Sequence, residues 1–121
     1  MSPENARVMV VENDEDWQKW IEWYLNEKGH EVALTAKTRK EALKKIETDM
    51  VKKGVNVVTI DGNLEPNTSS GVDGQAVAKA VRETDPNVKI VGVSVGFVRG
   101  ADVNVPKGFD TDTLGEVVTK L

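Results

Sequence analysis

The stretch VNVVTIDGNLEP, Val55 to Pro66, decides how this chain is read. An apolar run ends abruptly at Asp61, and Gly62 and Asn63 then end the strand pattern. Strands buried on both faces read as continuous apolar runs, the habit of central strands in a parallel sheet. A carboxylate therefore stands at the carboxyl tip of a central strand. The segment RVMVVENDED does something similar: a strand over Arg7–Val11 runs into Glu12, Asn13 and Asp14.

Outward from these two strands, apolar runs alternate with helical patterns. Asn13 or Asp14 can cap a helix in which Trp17, Trp20, Ile21, Tyr24 and Leu25 share one face. Gly29 is placed to end it. EVALTA (Glu31–Ala36) alternates as an edge strand does, with Val32, Leu34 and Ala36 on one side. Thr38 and Glu41 form a capping box before a helix with Ala42, Leu43, Ile46 and Met50 inward. A further helix starts near Asp73 with Val77, Ala80 and Val81 inward. VKIVGVSV (Val88–Val95) is a strand, and DVNV (Asp102–Val105) is a short alternating one. Asp110 or Thr111 can cap a last helix carrying Leu114, Val117, Val118 and Leu121.

Alternating units of this size mean a parallel sheet covered by helices. The first, third and fourth runs look central; the second and fifth look like edges. The order 2-1-3-4-5 satisfies this, giving an α/β fold of the flavodoxin-like doubly wound type with five parallel strands. The chain has 121 residues, enough for one domain with a real core, so residues 1–121 are read as a single domain. Net charge is −4, which does not favour a nucleic-acid surface. No apolar stretch is long enough for a membrane span, and MSPENARV lacks the apolar core of a signal peptide. With no cysteine and the single histidine His30, thiolate catalysis and multi-His metal sites are excluded. A cytoplasmic protein fits.

In such a sheet, ligands bind at the carboxyl ends of the strands, at the switch point between strands 1 and 3. Glu12, Asn13 and Asp14 stand there beside Asp61 and Asn63. Ser94 falls near the tip of strand 4, and Lys107 just past strand 5. Clustered carboxylates repel unless a cation neutralises them. Hard oxygen ligands favour Mg²⁺, which keeps waters and uses one or two carboxylates. A carboxylate can also attack phosphorus, with a metal, a lysine and a hydroxyl stabilising the developing charge. Singly, each residue has a plainer role: Glu12 to Asp14 as helix caps, Asp61 as a turn residue, Lys107 as a solvated lysine. Their joint placement around one crevice favours the functional reading.

These motifs resemble the receiver domains of two-component response regulators, across Arg7 to Leu121. VVEND resembles the family's first strand with its acidic pair, at Glu12 and Asn13. VVTIDGNL resembles the phosphoacceptor strand, and GVDG (Gly71–Gly74) the opening of the third helix. GADVNVPKGF resembles the strand 5 segment that ends in the family's lysine. The resemblance implies a signalling domain, not an enzyme in the usual sense, whose Asp61 accepts phosphoryl from a histidine kinase or phosphotransfer protein. It implies Mg²⁺ held by Glu12, Asn13, Asp61 and the backbone carbonyl of Asn63. Lys107 would pair with the phosphate, and Ser94 would bond a phosphate oxygen and signal to a downstream protein.

The chain also departs from the family. Asn13 stands where a metal-binding acid is usual, so the site loses a charge. The loop DGNLEPNTSSGVDG is longer than usual. Gly96 to Ala101 alone separate strands 4 and 5, so the fourth helix is expected to be missing or reduced. An extended loop of six residues spans roughly 20 Å, enough to return to a short parallel strand. Were strand 5 antiparallel, Lys107 would move away from Asp61. Asn104 occupies the position of the family's switch aromatic, and Gly108 that of a common proline.

A degenerate receiver working as a phosphorylation-independent interaction module is the alternative. A third reading, a haloacid-dehalogenase-type phosphatase, fails at Thr59, where that motif needs its nucleophilic Asp. Among the remaining residues, Trp17 and Trp20 are read as core, Trp23 as exposed, His30 as a surface or strand-start residue, and TRKEALKK as a solvated helix face.

Overall fold

The structure, a computed structural model, describes residues 5–61, 72–94, 98–107 and 113–121. They form β1 (Arg7–Val11), α1 (Glu15–Glu27), β2 (Glu31–Ala36), α2 (Arg39–Thr48), β3 (Val57–Ile60), α3 (Val72–Thr84), β4 (Lys89–Ser94), β5 (Val103–Pro106) and α4 (Leu114–Thr119). The sheet order is β2-β1-β3-β4-β5, and every neighbouring pair is parallel. This is the doubly wound order expected from strand patterning. β5 runs parallel to β4, with Val91 opposite Val103 and Ser94 opposite Pro106. Lys107 therefore leaves the sheet at the same end as Asp61.

Period-two alternation sends successive side chains of each strand into two cores. Met9, Val11, Val58, Ile60 and Ile90 pack with residues of α2 and α3. Val8, Val10, Val57, Val91 and Val93 pack with Ile21 and Leu25 of α1 and Leu114 and Val118 of α4. Helix starts follow the sequence signals. The Asp14 carboxylate accepts from Asp16 N (2.9 Å) and Trp17 N (3.1 Å), so Asp14 is the cap of α1. Thr38 Oγ1 accepts from Glu41 N at 3.1 Å. The Glu41 carboxylate accepts from Lys37 N (2.9 Å), one residue before the position a capping box uses. Gly29 ends α1 with φ +82°, in the left-handed region that favours glycine. The caps expected at Asp110 or Thr111 lie outside the described residues; Thr113 is the observed N-cap position of α4.

Two sequence expectations are corrected on the α1/α4 side. Trp20 was expected in the core, yet it is 55% exposed, close to the 53% of Trp23. The buried seam of α1 is the narrower Ile21–Leu25 pair. The leftover rings pack on one another instead: Trp20 stacks on Tyr24 (6.0 Å) and lies edge-on to Trp23 (6.3 Å). His30 does immediately precede β2, but it is buried rather than on the surface. Its Nδ1 accepts from Ala6 N at 3.0 Å, which leaves Nε2 to face Gly115 O (3.0 Å) and Thr119 Oγ1 (2.9 Å). A polar ring buried with both nitrogens matched is a fastener between β1 and α4.

Between β4 and β5, no helix occurs among the described residues. Val98 packs into the α2/α3 core. Asn104 Oδ1 accepts from Val98 N at 2.7 Å. Arg82 pairs with Asp102 at 2.7 Å and donates to Gly100 O at 3.2 Å. Asp102 Oδ2 in turn accepts from Ile90 N at 2.8 Å. The short crossover is thus tied down by side chains of α3 and β5.

Candidate functional site

Parallel β1, β3 and β4 end together, and this places the functional side chains. Glu12 follows β1 and its N–H is taken by Ala36 O (2.9 Å), so the backbone there is still held by β2. Asp61 follows β3 and its N–H is taken by Val11 O (2.9 Å). Ser94, the last residue of β4, accepts the Lys107 N–H at 3.0 Å through its carbonyl. Glu12, Asp61 and Ser94 are all buried. Lys107 Nζ lies 2.6 Å from Glu12 Oε1 and 3.3 Å from Asp61 Oδ2. Three residues far apart in sequence thus meet at the carboxyl end of the sheet. Asn13 is exposed beside them. Asn63 and the loop 62–71 lie outside the described residues, as does Gly108.

The electrostatics follow from burial. Glu12 is sealed from solvent. Burial first, and the neighbouring Asp61 carboxyl second, push its pKa up to about 8; Lys107 opposes both. The upward shift reflects two carboxyls crowded in a buried site beside a single ammonium. Among the described residues, Glu12 Oε1 is buried without an aligned hydrogen bond and faces Lys107 Nζ at 2.6 Å. A sealed carboxylate oxygen with unused lone pairs beside a second carboxylate fits a hard cation, and two carboxylates suit Mg²⁺. Among the described residues there is no cluster of three or more acidic or histidine side chains that would bind a metal on protein ligands alone.

Sequence reasoning missed one neighbour of this cluster. Lys107 Nζ sits over the Trp17 ring, 5.2 Å from its centroid, within the range of a cation–π contact. Trp17 was expected to be core, but it is only half-buried. The available signal was its place in the first turn of α1. Helical side chains lean back toward the N-terminus, and that end of α1 abuts the strand tips. A shallow groove of about 360 Å³, lined by Asp14, Asp16, Trp17, Trp20 and Tyr24, continues from there along α1.

No family model matches this chain, and no curated protein matches it. Solved structures do. The receiver domain of the Francisella response regulator 1452 is 25% identical with a TM-score of 0.72, over 94% of this chain and 93% of that one. The anti-anti-sigma factor PhyR from Bartonella quintana is 24% identical with a TM-score of 0.72, over 95% of this chain but 46% of its own length. The chain therefore spans about half of the PhyR structure. The receiver domain of a sensor histidine kinase from Pseudomonas aeruginosa PAO1, with magnesium coordinated in its active site cleft, is 18% identical with a TM-score of 0.72, over 94% of both chains. The chain has the fold of response regulator receiver domains. No helix among the described residues is long and apolar enough to cross a membrane.

Proposed function

We propose that this chain is a single, cytoplasmic receiver domain of a two-component system, with Asp61 as its phosphoacceptor. The observation that supports this most is the convergence of Glu12, Asp61 and Lys107 at the carboxyl end of the sheet, with Lys107 Nζ 2.6 Å and 3.3 Å from the two carboxyls. An Asp61 oxygen attacks the phosphorus of a phosphohistidine on a histidine kinase or phosphotransfer protein. The new O–P bond forms as the N–P bond breaks, and the electron pair stays on the imidazole, which takes up a proton. Lys107 holds its charge against the incoming phosphoryl oxygens. The Ser94 hydroxyl, at the neighbouring strand tip, bonds one of them and relays the change to a downstream protein. Mg²⁺, when bound, supplies charge neutralisation for the phosphoryl group and the carboxylates. Glu12 and Asp61, with the Asn13 amide and the Asn63 carbonyl, would hold it. The chain is then a phosphorylated switch rather than an enzyme acting on a separate substrate.

Two observations favour a second reading, a receiver-like interaction module that works without phosphorylation. Asn13 brings no charge to the metal site, and no helix lies between β4 and β5 among the described residues. One titration separates the two readings. Amide spectra of the labelled protein are followed with Mg²⁺ and then beryllofluoride, an acyl-phosphate mimic, with Asp61→Asn as control. Shifts at Glu12, Asp61, Ser94 and Lys107 that vanish in the control support the phosphoacceptor. Silence at millimolar metal and mimic supports the interaction module.

A further inference from the structure

We propose that Trp17 is the positioning residue for Lys107, the aromatic wall that keeps the ammonium at the mouth of the Asp61 site. The inference rests on the reading of Asp61 as phosphoacceptor and adds a residue to that site.

Lys107 needs such a wall. It follows the last residue of β5, the edge strand of the sheet, and its side chain is long and flexible. Two carboxyls attract the ammonium from one side, at 2.6 Å and 3.3 Å. Carboxyl attraction alone makes a variable seat, because its charge changes whenever a phosphoryl group is added to Asp61 or removed. The face of an indole carries a fixed negative quadrupole, so its pull on a cation does not vary with the chemistry of the site. Trp17 presents that face 5.2 Å from Nζ.

Trp17 is itself well anchored. It lies in the first turn of α1, and its N–H is bonded to the capping carboxylate of Asp14 at 3.1 Å. α1 is fastened to the sheet through Ile21 and Leu25. Because the backbone that carries the indole is held independently of the carboxyls, Trp17 presents the lysine with a surface that does not depend on their charge. A preorganised donor costs no rearrangement when phosphoryl charge arrives.

The test uses two readouts on the full chain. In the first, the Lys107 ε-methylene resonance, assigned through its loss in Lys107→Arg, is displaced upfield by the indole ring current. Trp17→Leu removes that displacement, and Trp17→Phe, which keeps a ring face, retains part of it. In the second, the beryllofluoride midpoint at saturating Mg²⁺ rises roughly fivefold in Trp17→Leu and returns to within about twofold of wild type in Trp17→Phe. The phenylalanine variant also guards against a folding defect. A Trp17→Leu midpoint equal to that of wild type overturns the proposal, even if the lysine resonance moves. Should wild type ignore beryllofluoride, the phosphoacceptor reading falls, and the resonance alone decides the positioning role. Its displacement lost in Trp17→Leu upholds that role; a displacement unchanged there overturns it.

Discussion

Asn104 holds Val98 through both ends of its amide, Oδ1 accepting from Val98 N at 2.7 Å and Nδ2 donating to Val98 O at 3.5 Å. The first of these is short and the second is at the limit of a hydrogen bond. In this way a side chain on β5 closes a crossover for which most parallel pairs use a helix. Gly92 lies directly beneath. A Cβ there would run into Asn104 Oδ1 and come within 3.0 Å of Val98. Glycine on β4 is therefore the complement of asparagine on β5. Asn104→Ala is expected to lower stability by about 1–2 kcal/mol, since it leaves the Val98 amide without its partner. Urea denaturation reads the loss, and faster hydrogen exchange at Val98 localises it.

Glu12 makes stability depend on pH in an unusual direction for a carboxylate. Its pKa rises from 4.5 to about 8 on folding. Between those values the folded state keeps a proton that the unfolded chain releases, so unfolding sheds a proton. The stability this proton brings is fully present below pH 4.5 and is lost as pH climbs through 8. The change is on the order of a few kcal/mol. Glu12→Gln copies the protonated form. In chelator-treated samples its stability should stay flatter than that of wild type from pH 5 to 9 and exceed it at the alkaline end. Parallel curves for the two proteins would show that Glu12 titrates like a surface acid.

Thr59 carries a buried hydroxyl that finds no hydrogen-bond partner among the described residues, midway along β3 and two residues before Asp61. It pairs with Val10 and Val91 on the neighbouring strands. Thr59→Val removes an unsatisfied polar atom at nearly constant shape, which should raise stability by about 1 kcal/mol. An unfolding midpoint no higher than that of wild type would mean that the hydroxyl is matched in solution. The amide shifts of Asp61 report whether the site is left intact.

Strand order was legible because burial leaves a direct mark on composition. Val8–Val11 are apolar on consecutive positions and Val57–Ile60 are interrupted only by Thr59, and that pattern requires cover on both faces. The candidate site was legible in part for the same reason: the order puts Glu12 and Asp61 at one end, and Lys107 joins them because β5 runs parallel to β4, a direction the sequence left open. Side-chain choices among equivalent positions were not legible. Trp20 and Ile21 both satisfy a helical period, and only the width of the seam under α1 decides that Ile21 goes in. Lys107 over Trp17 depends on where two elements distant in sequence touch. The burial of His30 depends on α4 arriving above it, and nothing local to GHEV announces that.

Helices α1 and α4 meet at Gly115, and no larger residue fits there. An added Cβ would lie 2.6 Å from Tyr24 O and 2.6 Å from Lys28 Cγ. The lysine can swing aside, at the expense of its 3.3 Å pair with Glu116, but the Tyr24 carbonyl belongs to the backbone of α1 and cannot. Gly115→Ala should therefore push the helices apart and cost about 1–3 kcal/mol. The same glycine supplies the carbonyl that His30 Nε2 faces at 3.0 Å, so the displacement also weakens the histidine fastener. His30→Ala alone leaves the Ala6 amide short of a buried partner, while the Gly115 carbonyl keeps the Thr119 hydroxyl at 2.9 Å, and the change is expected to cost about 1–3 kcal/mol. Because both changes act on one contact, the double variant should lose less than the sum of the two single losses. Denaturation curves for the four proteins measure this coupling, and strictly additive losses would show that Gly115 and His30 support the α1/α4 seam independently.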